Sequence, residues 1–186
     1  DDIAENDPTP HAEKARNYEL RFLYRRAGFT IEAGGYVHRI KDVITNTLPW
    51  SRVYTNAGEL KTDGVFGRVS HATRRTHLSL QYNHADTTIN GQTATRYQYS
   101  SLVSRIGDTW VADAFWRPHD SVDLGWNGRL VQGLDDISIP AVITDGPVAY
   151  IDKPGYATHD LYVRWTPAFA PRVSLNLTVK NVFDKY

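Results

Sequence analysis

Two clusters in this chain set a guanidinium beside aromatic rings, closely enough to act on one ligand. Trp50, Arg52 and Tyr54 lie in segment 46–59, and Arg96, Tyr97 and Tyr99 lie in segment 85–107. A cation beside aromatic faces suits an anionic or flat ligand such as a catecholate or a porphyrin. Other chemistry-bearing side chains are dispersed. Asp113, Asp123 and Asp160 are lone carboxylates within alternating segments, where Arg21, Arg129, Arg164 and Lys180 are the available partners. His38, His77, His84 and His119 give no metal-ligand spacing. No Ser-His-Asp arrangement, carboxylate pair or His-x-x-x-His motif stands out. Cysteine is absent, which removes any thiol nucleophile, disulfide or zinc knuckle. These residues point to binding rather than catalysis, with no catalytic and no metal-ligating residue assigned.

The elements that must position them are strands. Tyr18, Leu20, Phe22 and Tyr24 alternate with Glu19, Arg21 and Arg25, and Phe29, Ile31, Ala33, Gly35 and Val37 alternate with Thr30, Glu32, Tyr36 and His38. A weaker strand is expected over 62–70, and further alternating runs surround Leu80, Trp110, Trp126, Val163 and Leu177. That makes about eight strands, and no segment holds a 3.6-residue period for three turns. No apolar run approaches the ~20 residues of a membrane helix, but strands of a transmembrane barrel show lipid only at every second residue and look polar on average.

The links between strands are more telling. Segments 26–28, 71–75, 117–120 and 167–171 are short, whereas 46–59, 85–107 and 133–153 are long and polar, and the two kinds alternate. Outer-membrane barrels have this asymmetry, with short periplasmic turns and long extracellular loops. Aromatics near the strand ends (Tyr18, Tyr24, Trp110, Trp116, Trp126 and Trp165) read as interfacial girdles. A soluble antiparallel sandwich, with its polar face toward water, is the competing reading of the alternation. Net charge is zero, so nothing suggests a nucleic-acid partner.

The closing stretch, Asn176-Leu-Thr-Val-Lys-Asn-Val-Phe-Asp-Lys-Tyr186, alternates and then breaks. It resembles the penultimate strand of TonB-dependent outer-membrane receptors, which ends in Asn-hydrophobic-Phe-Asp-Lys-x-Tyr. Glu13-Lys-Ala-Arg-Asn-Tyr-Glu-Leu20, Asn56-Ala-Gly-Glu59 with Gly64-Val65, the segment 102–106 before Trp110, and Pro154-Gly-Tyr-Ala-Thr-His-Asp160 resemble further motifs of that family, in the family's order. The departures are Asp7-Pro-Thr-Pro10, Arg21, and Phe66-Gly67. The last is expected to weaken its strand by aiming Phe66 into the lumen and Gly67 toward lipid.

The resemblance implies an all-β, antiparallel up-and-down transmembrane β-barrel segment, residues 1–186, within a barrel of about 22 strands around a plug. The plug, the earlier strands and the last strand are expected to lie outside this chain. It further implies a bacterial outer-membrane receptor importing an iron-bearing ligand, with haem preferred to a ferric siderophore as transported cargo and no covalently bound cofactor. Implied partners are outer-membrane lipid, the TonB complex acting through the plug, and a small iron-bearing ligand or haem carrier protein. His11 lies in the loop region where haem-importing members supply an axial histidine, although their usual histidine sits farther upstream. The alternatives are a small self-contained outer-membrane barrel with a structural or adhesive role, and a soluble β-sandwich binding module.

Overall fold

The computed structural model describes residues 10–46, 54–56, 58–93, 106–139 and 149–183. Thirteen strands appear among them. They are β1 (Lys14–Arg26), β2 (Phe29–Lys41), β3 (Ile44–Asn46), β4 (Tyr54–Asn56), β5 (Glu59–Ala72), β6 (Thr76–Ile89), β7 (Gln92–Thr93), β8 (Thr109–His119), β9 (Val122–Val131), β10 (Leu134–Ile139), β11 (Ala149–Lys153), β12 (Tyr156–Trp165) and β13 (Leu175–Val179). Eight of them form one antiparallel meander in the order β1-β2-β5-β6-β8-β9-β12-β13, with β7 added beside β6. The remaining four make two separate hairpins, β3–β4 and β10–β11, inside the long links.

The expected count of eight therefore holds for the wall, while the long links carry structure of their own. The strand expected over 62–70 is longer, reaching Glu59 at one end and Ala72 at the other. Likewise β6 runs on to Ile89, and Asn90 and Gly91, both at positive φ, turn the chain into β7. Ala27 and Gly28 close the β1–β2 hairpin in the same left-handed geometry, which matches the twist of the flanking strands.

The described residues form no second layer. Ile89 and Val131 are the only buried hydrophobic side chains among the described residues, whereas Leu20 is 81% and Leu177 66% exposed. A soluble sandwich buries its apolar faces between two sheets, so that reading is overturned. Here every apolar face points outward from a single sheet.

Register shows that this face is continuous. One row of cross-strand neighbours runs Phe22–Ala33–Gly67–Tyr82–Trp110–Leu130–Ala157. The apolar band is centred near Phe22 on β1, but on β12 it covers Leu161, Val163 and Trp165 and is centred on Val163, six residues from Ala157. Six residues at ~3.4 Å amount to ~20 Å along the strand, against ~29 Å across six strand spacings of ~4.8 Å. The band thus crosses the strands with a slope of ~35°, matching the strand tilt of transmembrane barrels. The same rows put Tyr18 and Trp110 at one margin of the band and Tyr24, Trp116 and Trp165 at the other. Trp126 sits in its middle, not in a girdle, and its indole donates to His159 Nδ1 at 3.2 Å.

Candidate functional site

The inner face is polar and stitched by side chains on neighbouring strands. Arg21 on β1 meets Glu32 on β2 at 2.6 Å. Asp113 accepts from Ser79 Oγ (3.1 Å) and Asn127 Nδ2 (2.6 Å). Asp123, 5% exposed, accepts from Arg117 Nε at 2.6 Å and from Arg164 Nε at 2.8 Å, with a second contact from Arg164 Nη2. The backbone N–H of Asn181 donates to Asp160 Oδ1 at 2.8 Å. Of the pairings expected from sequence, Asp123 with Arg164 is formed. Asp113 and Asp160 instead find neutral donors, and Arg117, which was not anticipated, completes the pair around Asp123.

Three rings lie against cross-strand glycines along this face. Tyr36 covers Gly64, its register partner; a Cβ there would stand 2.6 Å from the Tyr36 ring. Phe66 covers Gly34, with 2.6 Å to the ring, and Tyr162 covers Gly125. Glycine leaves the hollow and the ring fills it, which restores the packing that a strand glycine forfeits. Phe66 faces the lumen and Gly67 lipid, as expected, but Phe66 does not interrupt β5. Phe66 has its bed in Gly34, and β5 is an unbroken strand of 14 residues.

The long-link end of the sheet is tied by a second set of bonds. His11 N–H donates to Asn56 Oδ1 (2.8 Å), and Asn56 Nδ2 donates to the carbonyls of His11 (3.0 Å) and Asp42 (2.6 Å). Glu13 Oε1 accepts from Ile44 N–H at 2.8 Å. Asn90 donates to the Glu59 carbonyl and accepts from its N–H, while Gly58, at φ 101°, leaves no room for a Cβ against Asn90. The Asn56-Ala-Gly-Glu59 motif is thus a rim lashing that ties the β1 lead-in, the β2–β5 link and the β6 turn.

One cluster here escaped the sequence. His84 Nδ1 lies 2.6 Å from Asp108 Oδ1, His84 Nε2 lies 3.2 Å from Asp86 Oδ2, and Tyr82 donates to Asp108 Oδ2 at 2.6 Å. His84 stands two residues beyond Tyr82 on the same face, outside the aromatic margin. The Asp108 hydrogen bond raises the His84 pKa above its ordinary value. Asp108 is held below the usual carboxylate range by its bonds from Tyr82 and then His84. The spacing His84-Ala-Asp86 was visible; the approach of Asp108, across 24 residues, was not. No group of histidine and acidic residues among those described could hold a metal ion.

Of the candidate ligand-binding residues, His11 sits at this rim with its backbone pinned and its imidazole making no hydrogen bond among the described residues. Tyr54 lies in β4, paired with Asn46. Trp50, Arg52, Arg96, Tyr97 and Tyr99 fall outside the described residues.

A single tilted sheet with an outward apolar band, a polar inner face and alternating short and long links is the wall of a transmembrane β-barrel. Residues 6–182 match the TonB dependent receptor-like, beta-barrel family, and the chain belongs to that family of bacterial outer-membrane proteins. Among solved structures it is similar to the FrpB iron transporter from Neisseria meningitidis. The F3-3 variant is 25% identical at a TM-score of 0.77, over 97% of this chain and 28% of that one. The F5-1 variant in its apoprotein form is 25% identical at a TM-score of 0.78, over 96% and 28%. No curated relative matches in sequence. The chain thus spans 28% of the length of those two transporters.

Proposed function

We propose that this chain is the C-terminal barrel portion of a receptor that imports an iron-bearing ligand by TonB-dependent active transport, and that the ligand is haem in preference to a ferric siderophore. The likeness to an iron transporter over nearly the whole chain carries the iron reading. The preference for haem rests on His11, an imidazole at the long-link rim being a natural ligand for haem iron. Trp50, Arg52, Tyr54, Arg96, Tyr97 and Tyr99 would add ring and guanidinium contacts to a porphyrin and its propionates. In this reading the wall supplies a wet, polar path, and a plug outside this chain meets the TonB complex. A haem carrier protein would deliver cargo to the outer loops. No step is catalytic.

The test is a haem titration of the full-length receptor in detergent, followed by its absorption spectrum, with His11→Ala beside the wild type. Binding in the wild type with a shifted spectrum in the variant is expected. No spectral change in the wild type rejects haem, and the ferric siderophore then stands as cargo. An identical spectrum in the variant removes His11 as the ligand.

A further inference from the structure

The outward face carries a feature that cargo transport does not use. Beyond the apolar band on β1, β2 and β5, register sets like charges directly opposite one another, Lys14 against Lys41 and Arg16 against Arg39, with Lys61 next in the Arg39 row. These positions share the face of Tyr18 and Val37, two and four residues farther toward the long-link end. Like charges directly opposite each other destabilise a strand pair, and here two such pairs are stacked. The lysines are offset by acids, with Lys14 at 3.8 Å from Asp42, Lys41 at 3.9 Å from Glu59 and Lys61 at 2.6 Å from Asp63. Arg16 and Arg39 have no such relief: neither makes an ion pair or hydrogen bond among the described residues, and both are exposed. Two neighbouring guanidiniums in that state are a fork for one anion.

Their height identifies the anion. Tyr18 marks the aromatic margin, and Arg16 is the next outward-facing residue of β1, at the level where lipid headgroups begin. Directly below, the face is shallow. Ala33, Gly35 and Gly67 form a trough between Phe22 and Tyr82, and a Cβ on Gly67 would meet only the Glu32 carbonyl oxygen, at 3.9 Å. Farther along the sheet lies a hollow of ≈ 310 Å³, lined mainly by apolar side chains such as Val69, Leu78, Leu80 and Trp126, with Ser70, Ser79 and Asp113 also at its edge. A cationic fork over an apolar trough fits a headgroup phosphate with its acyl chain beneath.

We infer that Arg16 and Arg39, supported by Lys14, Lys41 and Lys61, form a binding site for a phosphate-bearing lipid of the outer leaflet, whose acyl chain lies along Ala33, Gly35 and Gly67. The full-length protein in neutral maltoside micelles is titrated with fluorescent diphosphoryl lipid A, with its dephosphorylated counterpart, and with the phosphorylated lipid in competition with inorganic phosphate. The phosphorylated lipid binds, the dephosphorylated one binds at least ~tenfold more weakly, and the Arg16→Gln/Arg39→Gln variant loses ~tenfold or more. In lipid-free micelles that variant unfolds at an equal or higher denaturant concentration, because a repulsive pair is gone. Equal binding by the variant, or by the dephosphorylated lipid, overturns the site. Displacement by millimolar inorganic phosphate overturns the lipid in favour of a free anion. A variant less stable without lipid shows the arginines to be structural and overturns the inference as well.

Discussion

The glycine beds on the inner wall make a claim that a double-mutant cycle decides. Gly125 and Tyr162 are register partners on β9 and β12, and a Cβ at Gly125 would fall within the Tyr162 ring. Tyr162 is already 37% exposed, so the displaced ring swings into the lumen, not into other protein. Overpacking of this kind costs ~1–3 kcal/mol, and the ring also gives up its contact with the sheet. Placing alanine at a strand glycine otherwise gains up to ~1 kcal/mol. In the wild-type background Gly125→Ala is therefore expected to destabilise the barrel by ~1–2 kcal/mol. With Tyr162→Ala in place the clash is absent, and the same change becomes neutral or stabilising. The coupling is at least ~1 kcal/mol, outside the ~0.5 kcal/mol scatter of independent sites. Guanidinium unfolding of the full-length receptor in micelles, followed by tryptophan fluorescence, reads all four corners. Additivity of the two substitutions would refute the idea that the ring occupies the glycine's space.

Two further outcomes follow from the charged groups. Asp123→Ala leaves two guanidiniums without their shared acceptor. Because the Arg117 and Arg164 side chains stay 35% and 49% exposed, lumen water recovers part of the loss, and the expected cost is ~1–3 kcal/mol, below that of a sealed buried pair. Arg117→Gln should cost less, since Asp123 keeps Arg164; the reverse order in denaturant unfolding would show that Arg117, not the carboxylate, organises the trio. At the rim, the raised His84 pKa means that the imidazolium–Asp108 contact stabilises the fold fully below the ordinary histidine value of about 6.5 and is lost as pH rises through the higher folded value. Asp108, held low, contributes above the ordinary carboxylate range and loses that contribution as pH falls through its depressed value. Protection of the Thr109 and Trp110 amides from hydrogen exchange should therefore peak between about pH 4 and pH 6.5, and a His84 titration at or below 6.5 by NMR would contradict the pairing.

The strands of this wall were legible because a barrel strand meets two solvents, so that Leu20, Phe22 and Tyr24 against Glu19, Arg21 and Arg25 left no other period open. The links were legible only by length. Asn90-Gly91 is a hairpin signal in its own right, yet the polar run Asp86-Thr-Thr-Ile89 before it reads as loop and is in fact the end of β6. What sequence could not supply is register, and most of the remaining findings depend on it. Phe66 looked like a fault until the rows set it opposite Gly34, and the pairing of Arg16 with Arg39 shows only in those rows. The Asn181 and Asp160 motifs, read separately at the chain's end, prove to be two halves of one hydrogen bond. The tilt belongs to the same class. A slope of ~35° is fixed by where apolar residues fall on neighbouring strands, and it makes the outer margin climb toward β1. On β6 the residues beyond Tyr82 clear the margin, whereas on β1 and β2 the apolar face continues two rows farther, to Tyr18 and Val37. That is why His84 and Asp108 could form a polar cluster where β1 still faces lipid, and why the arginine fork had to lie higher up the sheet, above Tyr18.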